Sequence, residues 1–278
     1  PFHDDHSPSL SVSPDKQIYK CFVCGESGNV FNFVMNYEHL SFPEAASLLA
    51  KNIGMNLDIS IKKEDNKYEH LYEIMDIANK FYQNNLNSKE GTLAREYLTK
   101  RKLTPDIIKT FGIGLSLNKH DMLTNLLISK GHSLEELNSI DLANSNHDSY
   151  INRIMFPLED ARGRVIGFSG RIYDNSNMSK YQNSREGILF KKRELLFNYH
   201  RAKDEVRKNK NVIVMEGFMA VIRAYSVGIK NCIVTMGTAL SNEQASLIKK
   251  MSSNIILCYD GDNAGRTATL ASGEMFLK

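Results

Sequence analysis

Val212-Ile-Val-Met-Glu-Gly-Phe218 and, after an intervening apolar run Cys232-Ile-Val-Thr235, Ile255-Ile-Leu-Cys-Tyr-Asp-Gly-Asp-Asn-Ala-Gly265 decide the fold of the C-terminal third. Each opens with a continuous apolar run of strand length, and helical segments separate them. One of these, 242–251, is marked by Ser241 and Gln244 as a capping box. Buried strands joined by helices predict a parallel α/β sheet. Its carboxyl edge is where open α/β sheets place their sites, and there the sequence puts Glu216, Asp260 and Asp262. Asp260 and Asp262 are two apart, so on extended backbone they point the same way; Gly261 and Gly265 allow the chain to turn around whatever they hold. Hard oxygen ligands gathered at one point suit Mg2+ or Mn2+, the ions that phosphoryl or nucleotidyl transfer requires. A lone Asp-Gly-Asp is more often a surface turn. The Glu-Gly after a second buried strand weakens that reading.

Upstream of this sheet the character changes twice. Between Ile151 and Lys210 stand 14 Lys or Arg against 7 Asp or Glu, although the chain of 278 residues has a formal net charge of only +3. Such a local excess attracts phosphate backbones. Within it, Ile154-Met-Phe-Pro-Leu158 and Val165-Ile-Gly-Phe168 flank the turn Asp160-Ala-Arg-Gly163 and predict a β-hairpin. Arg171, Lys180, Asn183 and Lys191 supply charged and amide donors for phosphates, and Tyr181 a ring on which a base can stack. Further upstream, Leu71, Ile74, Met75, Ala78, Phe81 and Tyr82 recur at helical spacing, and helices are predicted around 93–102 and 105–110. The stretch 55–67, with Lys62-Lys-Glu-Asp-Asn66, reads as a linker.

The first 54 residues read as two short strands followed by helix. Ser41-Phe-Pro-Glu44 is a capping box, and Gly54 sits where a helix C-terminal glycine belongs. Of the 4 cysteines, Cys21 and Cys24 have metal spacing on Lys20-Cys-Phe-Val-Cys-Gly25, while Cys232 and Cys258 lie in apolar runs and read as small buried hydrophobes. With His3 and His6 the pair offers a Cys2His2 zinc set, the alternative being buried or redox thiols. No apolar run approaches the roughly 18 residues of a membrane span and no leader opens the sequence, so a soluble cytoplasmic protein is expected. The first residue, Pro1, and the uncapped helix at the end suggest a chain cut at both ends.

Taken together, Pro1-Phe-His3, Ser7-Pro-Ser-Leu-Ser-Val12, Cys21-Phe-Val-Cys-Gly25, Gly28-Asn-Val-Phe31 and Phe42-Pro-Glu-Ala45 resemble the zinc-binding domain of bacterial DnaG-type primases. Val214-Met-Glu-Gly-Phe-Met219, Met236-Gly-Thr-Ala-Leu240 and Tyr259-Asp-Gly-Asp-Asn-Ala-Gly265 look like that family's TOPRIM fold. Ile154-Met-Phe-Pro157, Gly163-Arg-Val-Ile-Gly-Phe168, Gly170-Arg171 and Lys180-Tyr-Gln-Asn-Ser184 resemble its polymerase motifs. The resemblance implies a mixed α+β and α/β multidomain chain. Its parts are a zinc-ribbon-like domain (1–54, first ligand missing), a linker (55–67), the N-terminal part of an RNA polymerase domain with a basic template groove (68–208), and a Rossmann-like TOPRIM subdomain (209–278) incomplete at its C-terminus.

It further implies DNA-dependent synthesis of RNA primers from ribonucleoside triphosphates on single-stranded DNA. Structural Zn2+ would sit on His3, Cys21, Cys24 and a Cys preceding Pro1, with His6 a bystander or a substitute. Glu216, Asp260 and Asp262 would form the Mg2+ or Mn2+ site, Arg101 would join the template-binding residues, and Arg266 would reach nucleotide phosphates. A monomer, and a helicase contacted through a domain beyond Lys278, are expected on the same ground. One departure stands out: where the family continues Glu-Gly-Tyr/Phe-Met with Asp, this chain has Ala220. That motivates two rivals, a catalytically inactive nucleic-acid-binding homologue and another TOPRIM enzyme such as a nuclease or topoisomerase relative.

Overall fold

The computed structural model describes residues 2, 8–38, 40, 42–55, 66–174, 179–236 and 240–277. His3 and His6, the Ser41 cap, the middle of the 236–240 motif and most of the 55–67 stretch lie outside the described residues. The chain divides into two compact units, Pro1–Lys67 and Tyr68–Lys278.

The first unit is a three-stranded antiparallel sheet, β1 (Leu10–Ser13), β2 (Ile18–Cys21) and β3 (Ser27–Asn29), followed by α1 (Val30–Tyr37) and α2 (Phe42–Asn52). Asn29 caps α1 reciprocally with Asn32, satisfying two otherwise orphaned amides. Gly54, at φ +75, ends α2 in the left-handed conformation that glycine adopts without strain. An aromatic cluster of Phe2, Tyr19 and Phe33, with ring centroids 5.1 to 5.5 Å apart, supplies much of the small core.

The second unit opens with α3 (Glu69–Asn87), α4 (Thr92–Lys100) and α5 (Pro105–Thr110), then β4 (Gly114–Ser116), α6 (Met122–Ser129), α7 (Leu134–Ser139) and the short pair β5 (Ala143–Asn144) and β6 (His147–Asp148). Next comes the predicted hairpin, β7 (Arg153–Glu159) and β8 (Val165–Arg171), with β9 (Tyr181–Asn183) added at its side. Gly163 turns the hairpin at φ +83, and a bulge falls at Leu158/Glu159. The sheet order is β4-β7-β8-β9, antiparallel throughout. Helix α3 lies along it and buries Leu71, Ile74, Met75, Ala78, Tyr82 and Leu86, the face its 3.6-residue period marks out. Truncating one such fully buried leucine or isoleucine to alanine costs about 2–5 kcal/mol.

The last third alternates: β10 (Leu196–Phe197), α8 (Tyr199–Asn209), β11 (Val212–Met215), α9 (Phe218–Ser226), β12 (Cys232–Thr235), α10 (Asn242–Met251), β13 (Ile255–Cys258) and α11 (Asn263–Leu277). Strand order is β10-β12-β11-β13, with β11 parallel to both neighbours and β10 antiparallel at the edge. Ser241 and Gln244 form the capping box of α10, and the buried Gln244 amide also donates to the carbonyls of Lys192 and Leu195, stitching α10 to the segment entering β10. The two apolar-run cysteines part company, which corrects one expectation. Cys232 is buried, but Cys258 is exposed, as is Ile256 at 48%. Among the described residues β13 stands at the sheet edge: α11 covers the face bearing Leu257, while the face bearing Ile256 and Cys258 is exposed.

Candidate functional site

Parallel pairing of β11 with β13 puts Met215 opposite Cys258, so the residues just past the two strands emerge side by side. Glu216 follows β11 and Asp260 lies two residues past β13. The Asp260 amide donates to Glu216 Oε2 at 2.9 Å, which brings the two acidic residues to one point on the sheet's carboxyl edge. Asp262 is used differently. Its Oδ1 accepts from the Gly265 amide at 2.8 Å and its carbonyl from the Arg266 amide at 3.0 Å, so it caps α11 with one oxygen.

Gly265 is required by a close approach: a Cβ there would meet the Asp260 carbonyl oxygen at 2.1 Å. Gly261 carries no such constraint, since nothing stands within 4 Å of where its Cβ would be. Beside Glu216 opens a cavity of ≈ 420 Å³ bordered by Thr235, Leu240, Tyr259, Thr267 and Ser272. Burial raises the Tyr259 hydroxyl above its ordinary pKa, against the lowering influence of its hydrogen bond with Ser272, and the Glu216 charge raises it further. Strand-length periodicity gave no signal for Tyr259 or Thr235 as cavity walls.

Asp260, Asp262 and Arg266 are exposed and Glu216 is half-buried. Among the described residues no three His, Cys, Asp or Glu side chains gather closely enough to hold an ion. The carboxylates are nonetheless of the chemistry that a hard divalent cation takes, since such an ion can be held by one or two protein carboxylates and complete its shell with water and substrate phosphates. Ala220 is the third residue of α9, whose N-cap Gly217 has no side chain to offer.

The residues assigned to a template surface do not behave alike. Arg171 is only 5% exposed, and its guanidinium is engaged by two tyrosines: Nε donates to the Tyr97 hydroxyl at 2.7 Å and Nη1 to the Tyr181 hydroxyl. Two of its five N–H donors are thereby engaged, so the buried side chain also braces the two tyrosines. Arg101, at the end of α4, lies 5.3 Å over the Tyr97 ring, and Lys180 6.0 Å from the Tyr181 ring. The Tyr181 ring in turn meets Phe218, the first residue of α9, edge-on at 5.3 Å. An Arg101–Tyr97–Arg171–Tyr181–Phe218 series thus runs to the helix that follows Glu216 and Gly217. Tyr97 was not legible in advance, since 74 residues separate it from Arg171. Asn183 accepts from the Ser169 hydroxyl at 2.7 Å. Lys191 borders a different cavity, with Tyr72, Glu159 and Tyr199, and pairs with Glu194 at 3.7 Å.

In the first unit Cys21 ends β2 and is buried, whereas Cys24 is exposed on the turn after it. The Gly25 amide closes that turn on the Cys21 carbonyl at 3.1 Å, with Gly25 at φ +78. The Ser9 hydroxyl, 3.3 Å from Cys21 Sγ, and then the backbone amides of Cys24 and Val23 lower the Cys21 thiol to about 6. A thiolate cradled by amides is what a zinc ligand requires.

Three family descriptions match the chain end to end: CHC2 zinc finger over residues 1–67, DNA primase catalytic core N-terminal domain over 81–203, and Toprim domain over 210–278. It is 40% identical, over 97% of its length, to the DNA primase of Enterococcus faecalis. It is similar throughout to the Aquifex aeolicus primase structure of zinc-binding and RNA polymerase domains, with TM-score 0.69 and 35% identity, covering 100% of this chain and 68% of that one. The chain belongs to the DnaG-type primases.

A solved DnaG primase catalytic domain bound to single-stranded DNA gives TM-score 0.68 and 35% identity over 76% of this chain and 67% of that one. The chain spans about half the length of the curated primases it matches, 46% of the E. faecalis protein and 47% of the Listeria monocytogenes one. Membership carries with it a zinc-finger type and a divalent-metal fold. Among the described residues no helix is long and apolar enough to cross a membrane.

Proposed function

We propose that this chain carries the template-binding and nucleotidyl-transfer machinery of a primase, joining ribonucleoside triphosphates on single-stranded DNA. The observation that carries the reading is the meeting of Glu216 with Asp260 at the carboxyl edge of adjacent parallel strands. Asp260 and Asp262, through the oxygens not used in capping, would hold Mg2+ or Mn2+. When bound, the ions neutralise charge on the reacting phosphates. Glu216 orients the Asp260 backbone and adds a carboxylate to the same edge. Arg266, in the first turn of α11, would reach nucleotide phosphates. Positioning and charge neutralisation supply most of the rate.

Arg101, Lys180, Tyr181 and Asn183 would contact template, with Arg171 holding Tyr181 in place. Zn2+ would sit on Cys21 and Cys24 with His3, giving the first unit a fixed surface toward the template. A replicative helicase as partner and a monomeric state complete the expectation from the family.

The test is primer synthesis from labelled ribonucleotides on single-stranded DNA with Mg2+ or Mn2+, beside Asp260→Asn. Products that vanish in the variant support the reading; products unchanged in it overturn the assignment of the site. Ala220 favours a second reading, a nucleic-acid-binding homologue without catalysis. A parent that binds DNA but makes no primer, together with an active Ala220→Asp, identifies that case.

A further inference from the structure

β9 carries Tyr181 and Asn183, and its side chains are held from neighbouring residues: Arg171 donates to the Tyr181 hydroxyl, the Gln182 amide donates to the Ser149 carbonyl at 2.8 Å, and Asn183 accepts from the Ser169 hydroxyl at 2.7 Å. Its backbone ladder is short: it is three residues long and, among the described residues, lies at the sheet edge and pairs with β8 alone, through Asn183 with Ser169, Gln182 with Gly170 and Tyr181 with Arg171. The residues immediately after it are tied to the rest of the unit through their backbone. The Ser184 hydroxyl accepts from the Phe168 amide at 2.9 Å and shares a hydrogen with the buried Tyr150 hydroxyl at 2.8 Å. The Ser184 amide donates to the Phe168 carbonyl at 2.8 Å.

At the next residue one carboxylate takes hold of both backbone and side chain. The Arg185 amide donates to Asp141 Oδ2 at 2.9 Å, and Arg185 Nε to Asp141 Oδ1 at 2.6 Å. Asp141 comes from the turn between α7 and β5, at φ +58, and its side chain is 9% exposed against 63% for Arg185. The same crossing is close in backbone: a Cβ on Gly187 would stand 3.1 Å from the Ser139 carbonyl oxygen. A carboxylate this buried that receives a main-chain amide fixes where the peptide lies, which a solvated ion pair does not.

We propose that Asp141 is a positioning residue of the nucleic-acid surface: it sets where β9 ends and hence where Tyr181 and Asn183 stand. The proposal rests on the reading of β9 as a template-contacting strand. Simple electrostatics gives the opposite sign. Asp141→Asn removes a negative charge from a protein that binds a polyanion, so at fixed geometry it tightens binding. Positioning requires that it weaken binding. Arg185→Ala is less informative, because an exposed arginine can contact phosphate directly.

The experiment measures affinity of the full chain for a single-stranded oligonucleotide by fluorescence anisotropy, at a temperature where thermal unfolding shows every variant folded. The variants are Tyr181→Ala, Asp141→Asn, the double substitution, and Asp141→Glu, which keeps the charge but moves the carboxylate by one methylene. Weaker binding by Tyr181→Ala supports the reading of β9. Asp141→Asn and Asp141→Glu are each expected to bind about 3- to 10-fold more weakly than the parent, with the double variant no weaker than Tyr181→Ala, as for two changes acting through one contact. Asp141 variants that bind as tightly as the parent, while Tyr181→Ala does not, overturn the proposal and leave the reading intact. Should Tyr181→Ala bind like the parent, the reading fails and the proposal with it.

Discussion

Replacing Gly265 with alanine should damage the acidic edge, although the same change elsewhere in α11 should help. In a helix interior alanine is favoured over glycine by about 1 kcal/mol. Gly273 lies in the same helix with nothing within 4 Å of its Cβ position, so Gly273→Ala is expected to stabilise by about 0.5–1 kcal/mol. In a unit of this size that is a rise in Tm of roughly 2–4 °C per kcal/mol. At Gly265 the added Cβ meets the Asp260 carbonyl oxygen at 2.1 Å, where real contacts do not fall below 3.0 Å, so the first turn of α11 or the Asp260 peptide must move by about 1 Å. Backbone on both sides leaves no flexible side chain to absorb the shift, and overpacking of this kind costs about 1–3 kcal/mol.

The displaced carbonyl belongs to the same residue whose amide donates to Glu216, and a misplacement near 1 Å at the proposed catalytic edge is expected to cost on the order of 100-fold in rate. Differential scanning calorimetry and primer synthesis on the two variants check both parts. A Gly265→Ala protein that melts at or above the parent temperature and synthesises primer at the parent rate would refute the argument that this glycine sets the geometry of the edge.

Ala220→Asp should place a carboxylate at the third position of α9, where it can accept from the backbone amide of the N-cap Gly217 and face the positive helix end; the expected gain is about 0.5–1 kcal/mol, with tighter Mn2+ binding in a calorimetric titration. Arg201 pairs with Glu159 through both guanidinium arms, one at 2.9 Å, and also donates to the Thr110 carbonyl at 2.9 Å, so Arg201→Ala strands a mostly buried carboxylate and is expected to cost about 3–5 kcal/mol in urea unfolding. His200 is held down to about 4 from 6.5 by burial and then by the Arg201 charge, and its Nδ1 has no partner among the described residues. Because the unfolded imidazole takes up its proton first, the stability it contributes is complete above about 6.5 and is lost as pH falls toward about 4. A His200→Gln variant should therefore lose less unfolding free energy than the parent across that window, by on the order of 2 kcal/mol in urea unfolding; parallel curves would remove His200 from the account.

The sequence by itself determined what depends on near neighbours. The runs at 212–215, 232–235 and 255–258 are strands because continuous apolar, β-branched segments bury on a parallel sheet, and α10 starts at Asn242 because Ser241 and Gln244 cap each other across three residues. The helix at 105–110 and the hairpin turned at Gly163 arise from proline and glycine in the same local way. That parallel strands carry Glu216 and Asp260 to one edge was legible as well, since chain direction alone fixes which end of each strand they occupy.

Only the tertiary structure decided which strand stood at the edge, and with it that Ile256 and Cys258 are exposed; an apolar run reads the same whether one face or both are covered. It alone brought Tyr97 to Arg171 across 74 residues and Asp141 to Arg185 across 44. Periodicity records how much of a side chain is buried, whereas the partner it is buried against is set by topology, and no local pattern carries that information.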